Sequence, residues 1–212
     1  AKSIDHYNKA LGVDDKNIFA LRGIGDCYRG MHQPEKTIVY WQRYLETNQD
    51  DVHVIVRLAD SLMKMDKLKE AEAFYLRALE LRPKDKYALL GTGSLFYKMG
   101  DDLNAIKYLE RLLSLDEHYI VALTMVGNIY RRNFEYEKAA GYYEKAISYE
   151  PWNTIAQYGL GHCQRGMNNF EGAVHWWTKV LEKEEHNQEV NTRIGDALMN
   201  MDKMEQSKVH YT

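Results

Sequence analysis

Pairs made of a small residue and an aromatic residue recur along the chain at a fixed interval. In six places a small residue is followed four positions later by an aromatic one, namely Ser3/Tyr7, Thr37/Trp41, Ala71/Tyr75, Ala139/Tyr143, Ala173/Trp177 and Ser207/Tyr211. The pair Ala105/Leu109 continues the series with an aliphatic residue, and the interval from each pair to the next is constant, without an insertion. Because a spacing of four residues places both members on one helix face, the pattern predicts a helical repeat with this period.

Two further series keep the same interval. One consists mostly of glycine, at Gly25, Ala59, Gly93, Gly127, Gly161 and Gly195, and the other of methionine, at Met31, Met65, Met99, Met167 and Met201, with Asn133 in its gap. When each repeat is numbered from 1, the glycine series occupies position 8 and the large side chains occupy position 24. Glycine within a helix costs about 1 kcal/mol relative to alanine. We therefore expect position 8 to lie directly against the large side chain at position 24.

These residues resemble the tetratricopeptide repeat (TPR), a 34-residue pair of antiparallel helices, over essentially the whole chain. The resemblance implies an all-α fold, a right-handed α-solenoid of stacked antiparallel helix pairs called a TPR superhelix. The predicted single array over 1–212 has a lone second helix at 1–17, full repeats at 18–51, 52–85, 86–119, 120–153 and 154–187, and a partial repeat at 188–212. Solenoids normally end in a polar cap, whereas Met204 and Tyr211 would leave an apolar face open, so we expect a fragment of a longer protein.

Composition removes several classes of protein. Of the 212 residues, 45% are hydrophobic and 28% are charged, which is typical of a folded globular chain and not of a disordered one. No apolar run approaches the length of about 18 residues that a membrane-spanning helix needs, so we expect no direct membrane insertion. The formal charge of −3 gives no general attraction to nucleic acid. The compartment stays open, with the cytoplasm favoured.

Motifs that would carry chemistry do not appear in the sequence. There is no nucleophile elbow, no His-Glu-x-x-His motif and no phosphate-binding loop. Cys27 and Cys163 stand four repeats apart, at least about 30 Å at helix spacings of about 8–10 Å, which is too far for a disulfide. Nothing completes a zinc ligand set around His162 and Cys163. We therefore expect a protein that is not an enzyme, with no catalytic residues, no metal site and no cofactor.

Position 6 alternates between repeats. It is glycine in the odd-numbered repeats, at Gly23, Gly91 and Gly159, and a larger residue in the even-numbered ones, at Arg57, Met125 and Arg193. One interpretation is inheritance from a duplicated pair of repeats. The other is a groove floor with space left above the glycines, and the sequence favours neither.

The first helix of each repeat lines the concave surface in proteins of this family, mainly through positions 2, 5, 6, 9, 12 and 13. In repeats one to five these positions hold eight cations against two acidic residues, Asp26 and Asp60. Cations at positions 12 and 13 also offset the helix dipole, but this does not explain Arg22 and Arg57 near the helix starts, or the tyrosines between them. The predicted partner-binding groove contains Arg22, Arg57, Tyr87, Tyr97, Lys98, Asn128, Arg131, Arg132, Tyr158, His162 and Arg165.

The resemblance and the charge pattern together predict a non-catalytic protein–protein interaction scaffold. Its groove would bind an acidic or amphipathic segment of another protein, with arginine and lysine pairing with carboxylates, tyrosine giving contact area and Asn128 holding a peptide amide. We expect no nucleic acid partner, since no RNA-binding signature accompanies the basic groove. Two alternatives stay open: a structural spacer that self-associates end to end through exposed repeat ends, and a regulatory or substrate-presenting arm of a larger enzyme.

Overall fold

The computed structural model describes residues 2–210, so Tyr211 of the last predicted aromatic pair lies outside the described residues. Over this range the chain forms helices and no strand, which confirms the all-α prediction. The helices are α1 (Lys2–Val13), α2 (Ile18–Gly30), α3 (Pro34–Thr47), α4 (Val52–Lys64), α5 (Leu68–Leu81), α6 (Lys86–Met99), α7 (Asp102–Leu115), α8 (Ile120–Arg132), α9 (Tyr136–Tyr149), α10 (Thr154–Gly166), α11 (Phe170–Leu181), α12 (Gln188–Asn200) and α13 (Met204–Lys208).

The even-numbered helices, here called first helices, begin at residues 18, 52, 86, 120, 154 and 188, a constant interval of 34. The odd-numbered helices are here called second helices. Most first helices begin after an asparagine or aspartate that caps them, as when Asn153 Oδ1 accepts a hydrogen bond from the Ala156 N–H at 2.9 Å. Such a cap contributes about 1 kcal/mol. The recurrent cap residue therefore fixes where each first helix starts.

Contacts divide the chain into two compact units, unit 1 (Ala1–Tyr108) and unit 2 (Leu109–Thr212). In unit 1, helix α2 packs on α3, α4 packs on α5, and the first helices α4 and α6 touch each other. In unit 2, helix α8 packs on α9, α10 packs on α11, and α8 touches α10. In both units, therefore, these first helices pack on their own second helices, and one pair of neighbouring first helices lies side by side.

The turn between the first and second helix of a repeat always contains one residue with positive φ. These residues are His32, Asp66, Gly100, Phe134, Asn168 and Asp202, with φ between 55° and 77°. Glycine, asparagine, aspartate and histidine tolerate this left-handed conformation, whereas a bulky residue is strained in it by about 1–2 kcal/mol. Phe134 is the bulky residue among the six, and its side chain is 76% exposed. Burial therefore offsets little of its strain.

The large side chain at position 24 packs on the glycine at position 8 of the same repeat. A Cβ added at Gly25 would overlap the Trp41 indole, and one at Gly161 would overlap the Trp177 indole. Both indoles are fully buried. The expected close approach is confirmed, and it explains why these helices accept an internal glycine.

The glycines at position 6 lie against a tyrosine of the preceding second helix. A Cβ added at Gly91 would overlap the Tyr75 ring, and one at Gly159 would overlap the Tyr143 ring. The interpretation of these glycines as an open groove floor is therefore wrong, because the tyrosine ring fills the space. Where position 24 of the preceding second helix is not tyrosine, position 6 of the next first helix carries a side chain. The pairs are Trp41/Arg57, Leu109/Met125 and Trp177/Arg193.

Arginines on the second helices of unit 1 tie successive repeats together. Arg43 Nη2 donates to the Asp15 carbonyl at 2.8 Å, and Arg77 Nη2 donates to the Gln49 carbonyl at 2.5 Å. Each arginine thus satisfies a backbone acceptor in the loop that precedes its own repeat. These half-buried cations lie on second helices and stabilise the array, so they are not part of the predicted groove.

Candidate functional site

Positions 2, 5, 6, 9, 12 and 13 lie on one face of each first helix, and the residues at these positions within one unit are here called the groove face of that unit. At about 3.6 residues per turn these positions fall within a sector of about 120°. The opposite face of α8 carries the buried Ala122, Leu123 and Val126. The predicted site residues divide between the units. Unit 1 contains Arg22, Arg57, Tyr87, Tyr97 and Lys98, and unit 2 contains Asn128, Arg131, Arg132, Tyr158, His162 and Arg165.

The predicted groove cations of unit 1 are paired with carboxylates. Arg22 Nη1 lies 3.3 Å from Asp51 Oδ2. Arg57 Nη1 lies 3.0 Å from Asp26 Oδ1. Lys98 is likewise paired, with Nζ 2.8 Å from an Asp66 carboxylate oxygen. Their positive charge is therefore largely neutralised within unit 1.

Aromatic and acidic residues complete the groove face of unit 1. Tyr87 is 67% exposed near the start of α6, and Tyr97 is half-buried near its end. Asp60 accepts a hydrogen bond from the Tyr75 hydroxyl. Burial raises the pKa of Asp60 above its ordinary value, although the Tyr75 hydrogen bond and nearby cations, among them Lys64, oppose this. Asp60 is thus held by the core tyrosine beneath the groove face.

Asn128 and Arg131 of unit 2 meet at a core tyrosine. The Tyr143 hydroxyl donates to Asn128 Oδ1 at 2.7 Å, and Arg131 Nε donates to the same hydroxyl oxygen at 3.3 Å. This arrangement uses the amide oxygen of Asn128 and leaves its Nδ2 as a donor. The tyrosine therefore orients both side chains on the groove face.

His162 of unit 2 is buried and lies near three arginines. Its side chain is 8% exposed, and its ring meets Tyr158 and Trp177 edge-to-face, with centroids 4.6 and 5.3 Å away. Burial, and then the positive charges of Arg193, Arg131 and Arg165, lower the pKa of His162 to about 3. His162 is therefore neutral at ordinary pH and forms part of the floor.

The name arginine cluster is used here for Arg131, Arg165 and Arg193. Arg193 Nη2 pairs with Glu189 Oε1 at 2.7 Å. Within residues 2–210, Arg131 and Arg165 make no ion pair with a carboxylate; Arg165 lies over the Trp177 ring at 5.9 Å. The predicted set omitted Arg193, although its position 6, shared with Arg57, is a signal that could have included it.

Tyr158 connects the arginine cluster to a neighbouring cavity. Its hydroxyl donates to Glu189 Oε1 at 2.5 Å and accepts from Arg193 Nε at 3.0 Å. Its ring lines a cavity of about 240 Å³, together with Ile155 and Val180. Ile155 is 60% exposed, so an apolar surface adjoins the cationic one.

Metal binding, membrane insertion and thiol chemistry each depend on a recognisable structural feature. No group of three or more histidine, cysteine, aspartate or glutamate side chains within residues 2–210 could hold a metal ion. Among the described helices, none has the length and apolar character to cross a membrane. Cys163 is buried, which raises the pKa of its thiol to about 12, so its reactive thiolate form is suppressed.

Known proteins share both the sequence pattern and the fold. A Tetratricopeptide repeat profile matches residues 56–119, and another with the same description matches 120–151. No curated protein sequence matches the chain. Among solved structures, the MamA protein is 26% identical, aligns over 79% of this chain and 92% of its own, and gives a TM-score of 0.73.

Two more distant structures show the fold alone. YrrB, described as a TPR protein with an unusual peptide-binding site, is 16% identical over 87% of this chain and 95% of its own, with a TM-score of 0.72. A tetratricopeptide repeat protein from Parabacteroides merdae is 15% identical over 91% of this chain and 77% of its own, with a TM-score of 0.79. Residues 56–151 therefore match the tetratricopeptide repeat family, and the described chain has the all-α fold of stacked helix pairs seen in proteins of that family, which supports a role as a protein-interaction scaffold.

Proposed function

We propose that the groove face of unit 2 binds an acidic segment of another protein, and that the chain carries out no catalysis itself. The observation that supports this is the difference in pairing between the two units. Arg22 and Arg57 of unit 1 have aspartate partners, whereas Arg131 and Arg165 of unit 2 have no carboxylate partner within residues 2–210. Cations without carboxylate partners are available to an acidic ligand.

The electrostatic surroundings of His162 support the same proposal. Burial contributes most to lowering the pKa of His162 to about 3, and the positive charges of Arg193, Arg131 and Arg165 lower it further. A ligand carboxylate on this surface would gain charge-assisted hydrogen bonds, each worth about 1.5–3 kcal/mol. Favourable placement at the end of a helix accounts for Arg131 and Arg165 but not for Arg193, which lies in the first half of α12.

The other side chains on this face suit a peptide ligand. Asn128 keeps an amide donor for a peptide carbonyl, because its oxygen is occupied by the Tyr143 hydroxyl. Tyr158 offers a ring held at its hydroxyl end by Glu189 and Arg193, so contact with it costs little side-chain entropy. Arg132 is exposed beside Arg131 and extends the cationic surface. We assign the recognition of acidic side chains to the arginines of unit 2, and contact with the peptide itself to Asn128 and Tyr158.

The test measures binding of a fluorescein-labelled peptide of alternating glutamate and alanine by fluorescence anisotropy. The variant Arg131→Gln/Arg165→Gln should raise Kd at least tenfold, equivalent to about 1.4 kcal/mol. The matched control, Lys145→Gln/Lys179→Gln on α9 and α11, removes the same charge from second helices. Far-UV circular dichroism checks that both variants stay helical. Equal losses in the two variants, or no loss in the first, would refute the proposal.

A further inference from the structure

We infer that the segment bound by unit 2 is an amphipathic helix in which an acidic stripe runs beside an apolar stripe. This inference rests on the proposed function and adds the conformation and sequence pattern of the partner. It follows from two rows of side chains on the groove face, one apolar and one cationic.

The apolar row lies at position 2 of the first helices. Val121 near the start of α8 is 52% exposed, and Ile155 near the start of α10 is 60% exposed. The cavity of about 240 Å³ adjoins Ile155 and has Val180 in its wall. Since α8 and α10 pack together, these two aliphatic residues stand one helix spacing apart, about 8–10 Å. The row thus offers two exposed contacts and one depression for an aliphatic side chain.

The cationic row lies at position 12 and consists of Arg131 and Arg165. Each arginine follows the apolar residue of its own helix by ten residues, a rise of about 15 Å along the axis. Neither guanidinium has a carboxylate partner within the described part of unit 2. The floor between the rows contains the buried His162. An occupant must therefore reach both rows at once.

A helix meets this requirement, and an extended peptide does not. A helix with its side chains is about 10–12 Å across, which suits rows about 15 Å apart when long arginine side chains close the difference. In an extended peptide, side chains on the same side are two or four residues apart, about 6.8 or 13.6 Å, and neither distance matches the spacing of about 8–10 Å between α8 and α10. Residues seven apart in a helix are separated by about 10.5 Å, close to the spacing of α8 and α10.

This geometry specifies the ligand pattern and its orientation. Leucine-like residues at i, i+3 and i+7 would cover Val121 and Ile155, and glutamates with the same spacing on the adjacent stripe would reach Arg131 and Arg165. Glu184 lines the same cavity as Ile155. Its charge opposes the reversed orientation, which would bring the acidic stripe against it.

The experiment compares three fluorescein-labelled peptides by anisotropy. The first contains leucine, glutamate and alanine arranged in the two adjacent stripes. The second has the same composition in an order that breaks both stripes, and the third is the first with a central proline that prevents the helix. We expect the striped peptide to bind at least tenfold more tightly than either of the others.

Protein variants separate the two rows. Val121→Thr/Ile155→Thr should weaken the striped peptide severalfold and leave the alternating glutamate–alanine peptide unchanged. The matched control, Val39→Thr/Leu103→Thr, alters two exposed aliphatic residues on second helices and should change neither affinity. Circular dichroism of each protein checks the fold.

The outcomes distinguish this inference from the function on which it rests. If the scrambled or proline-containing peptide binds as tightly as the striped one, while loss of Arg131 and Arg165 still weakens binding, the ligand is not a helix and the inference fails alone. If loss of the two arginines has no effect on any peptide, the proposed function fails as well. A striped peptide unaffected by Val121→Thr/Ile155→Thr would also overturn the inference.

Discussion

Two glycines of unit 2 should respond to the same substitution with opposite changes in stability. A Cβ at Gly159 in α10 would come within 2.7 Å of three ring atoms of Tyr143. That ring is fully buried, and its hydroxyl is hydrogen-bonded to Asn128 and Arg131, so the ring cannot move aside freely. Gly141 lies within α9, and a Cβ there would meet nothing within 4 Å. The two sites thus share helical backbone but differ in packing.

The expected magnitudes follow from two competing effects. Replacing glycine by alanine within a helix stabilises it by about 1 kcal/mol at either site. Overpacking a filled core costs about 1–3 kcal/mol, and the fixed ring at Gly159 places this site toward the upper end. Gly159→Ala should therefore lower the free energy of unfolding by about 2 kcal/mol, whereas Gly141→Ala should raise it by about 1 kcal/mol.

Urea denaturation followed by far-UV circular dichroism measures both changes, with the slope of unfolding free energy against urea confirming that the same structure unfolds. A Gly159→Ala protein as stable as the parent would refute the packing argument. A second test places Gly159→Ala in a Tyr143→Leu background, which imitates the natural pair Leu109/Met125. There the alanine should no longer destabilise, and a persistent loss would show that the tyrosine ring is not the cause.

Two further predictions concern pH and backbone strain. Because the pKa of His162 falls from 6.5 in the unfolded chain to about 3 in the folded one, the unfolded state binds more protons below pH 6.5 and stability declines on acidification. Between pH 7 and pH 5, this effect should lower the free energy of unfolding by about 2 kcal/mol. Urea unfolding of His162→Leu should not show this loss, and an identical pH dependence of stability in both proteins would contradict the prediction. Phe134→Asn should stabilise the protein by about 0.5–1 kcal/mol, since asparagine accepts the left-handed turn as Asn168 does, and a lower melting temperature would count against the strain argument.

The helices were predictable from the sequence because their signals are local and periodic. Apolar residues spaced three and four apart give the buried faces, and the asparagine or aspartate before most first helices fixes their starts. The close approach of Gly25 and Trp41 was predictable for the same reason, since a helical glycine needs a compensating contact. Each of these features recurs at one interval, so each repeat supports the assignment of the others.

The state of the groove cations was not predictable in the same way. Arg22 meets Asp51 at the end of its own repeat, and Arg57 meets Asp26 of the preceding repeat, across 29 and 31 residues. Nothing in the local pattern distinguishes these arginines from Arg131, which has no such partner within residues 2–210. The charges in the sequence therefore predict the cationic face, but they do not show which of its arginines lack a carboxylate partner. The burial of His162 was hidden likewise, because it depends on rings from two helices.

The pairing of tyrosine with the following glycine has a consequence for how arrays of this kind change length. Excising 86–119 alone would set the phenol of Tyr75 against Met125, although the Tyr75 ring already overlaps the place where a Cβ at Gly91 would lie. Excising 86–153 would instead set it against Gly159, reproducing a junction that the protein already contains. Shortening or lengthening by doublets preserves every such junction. The exchangeable module of this protein is thus a pair of repeats, twice its visible period.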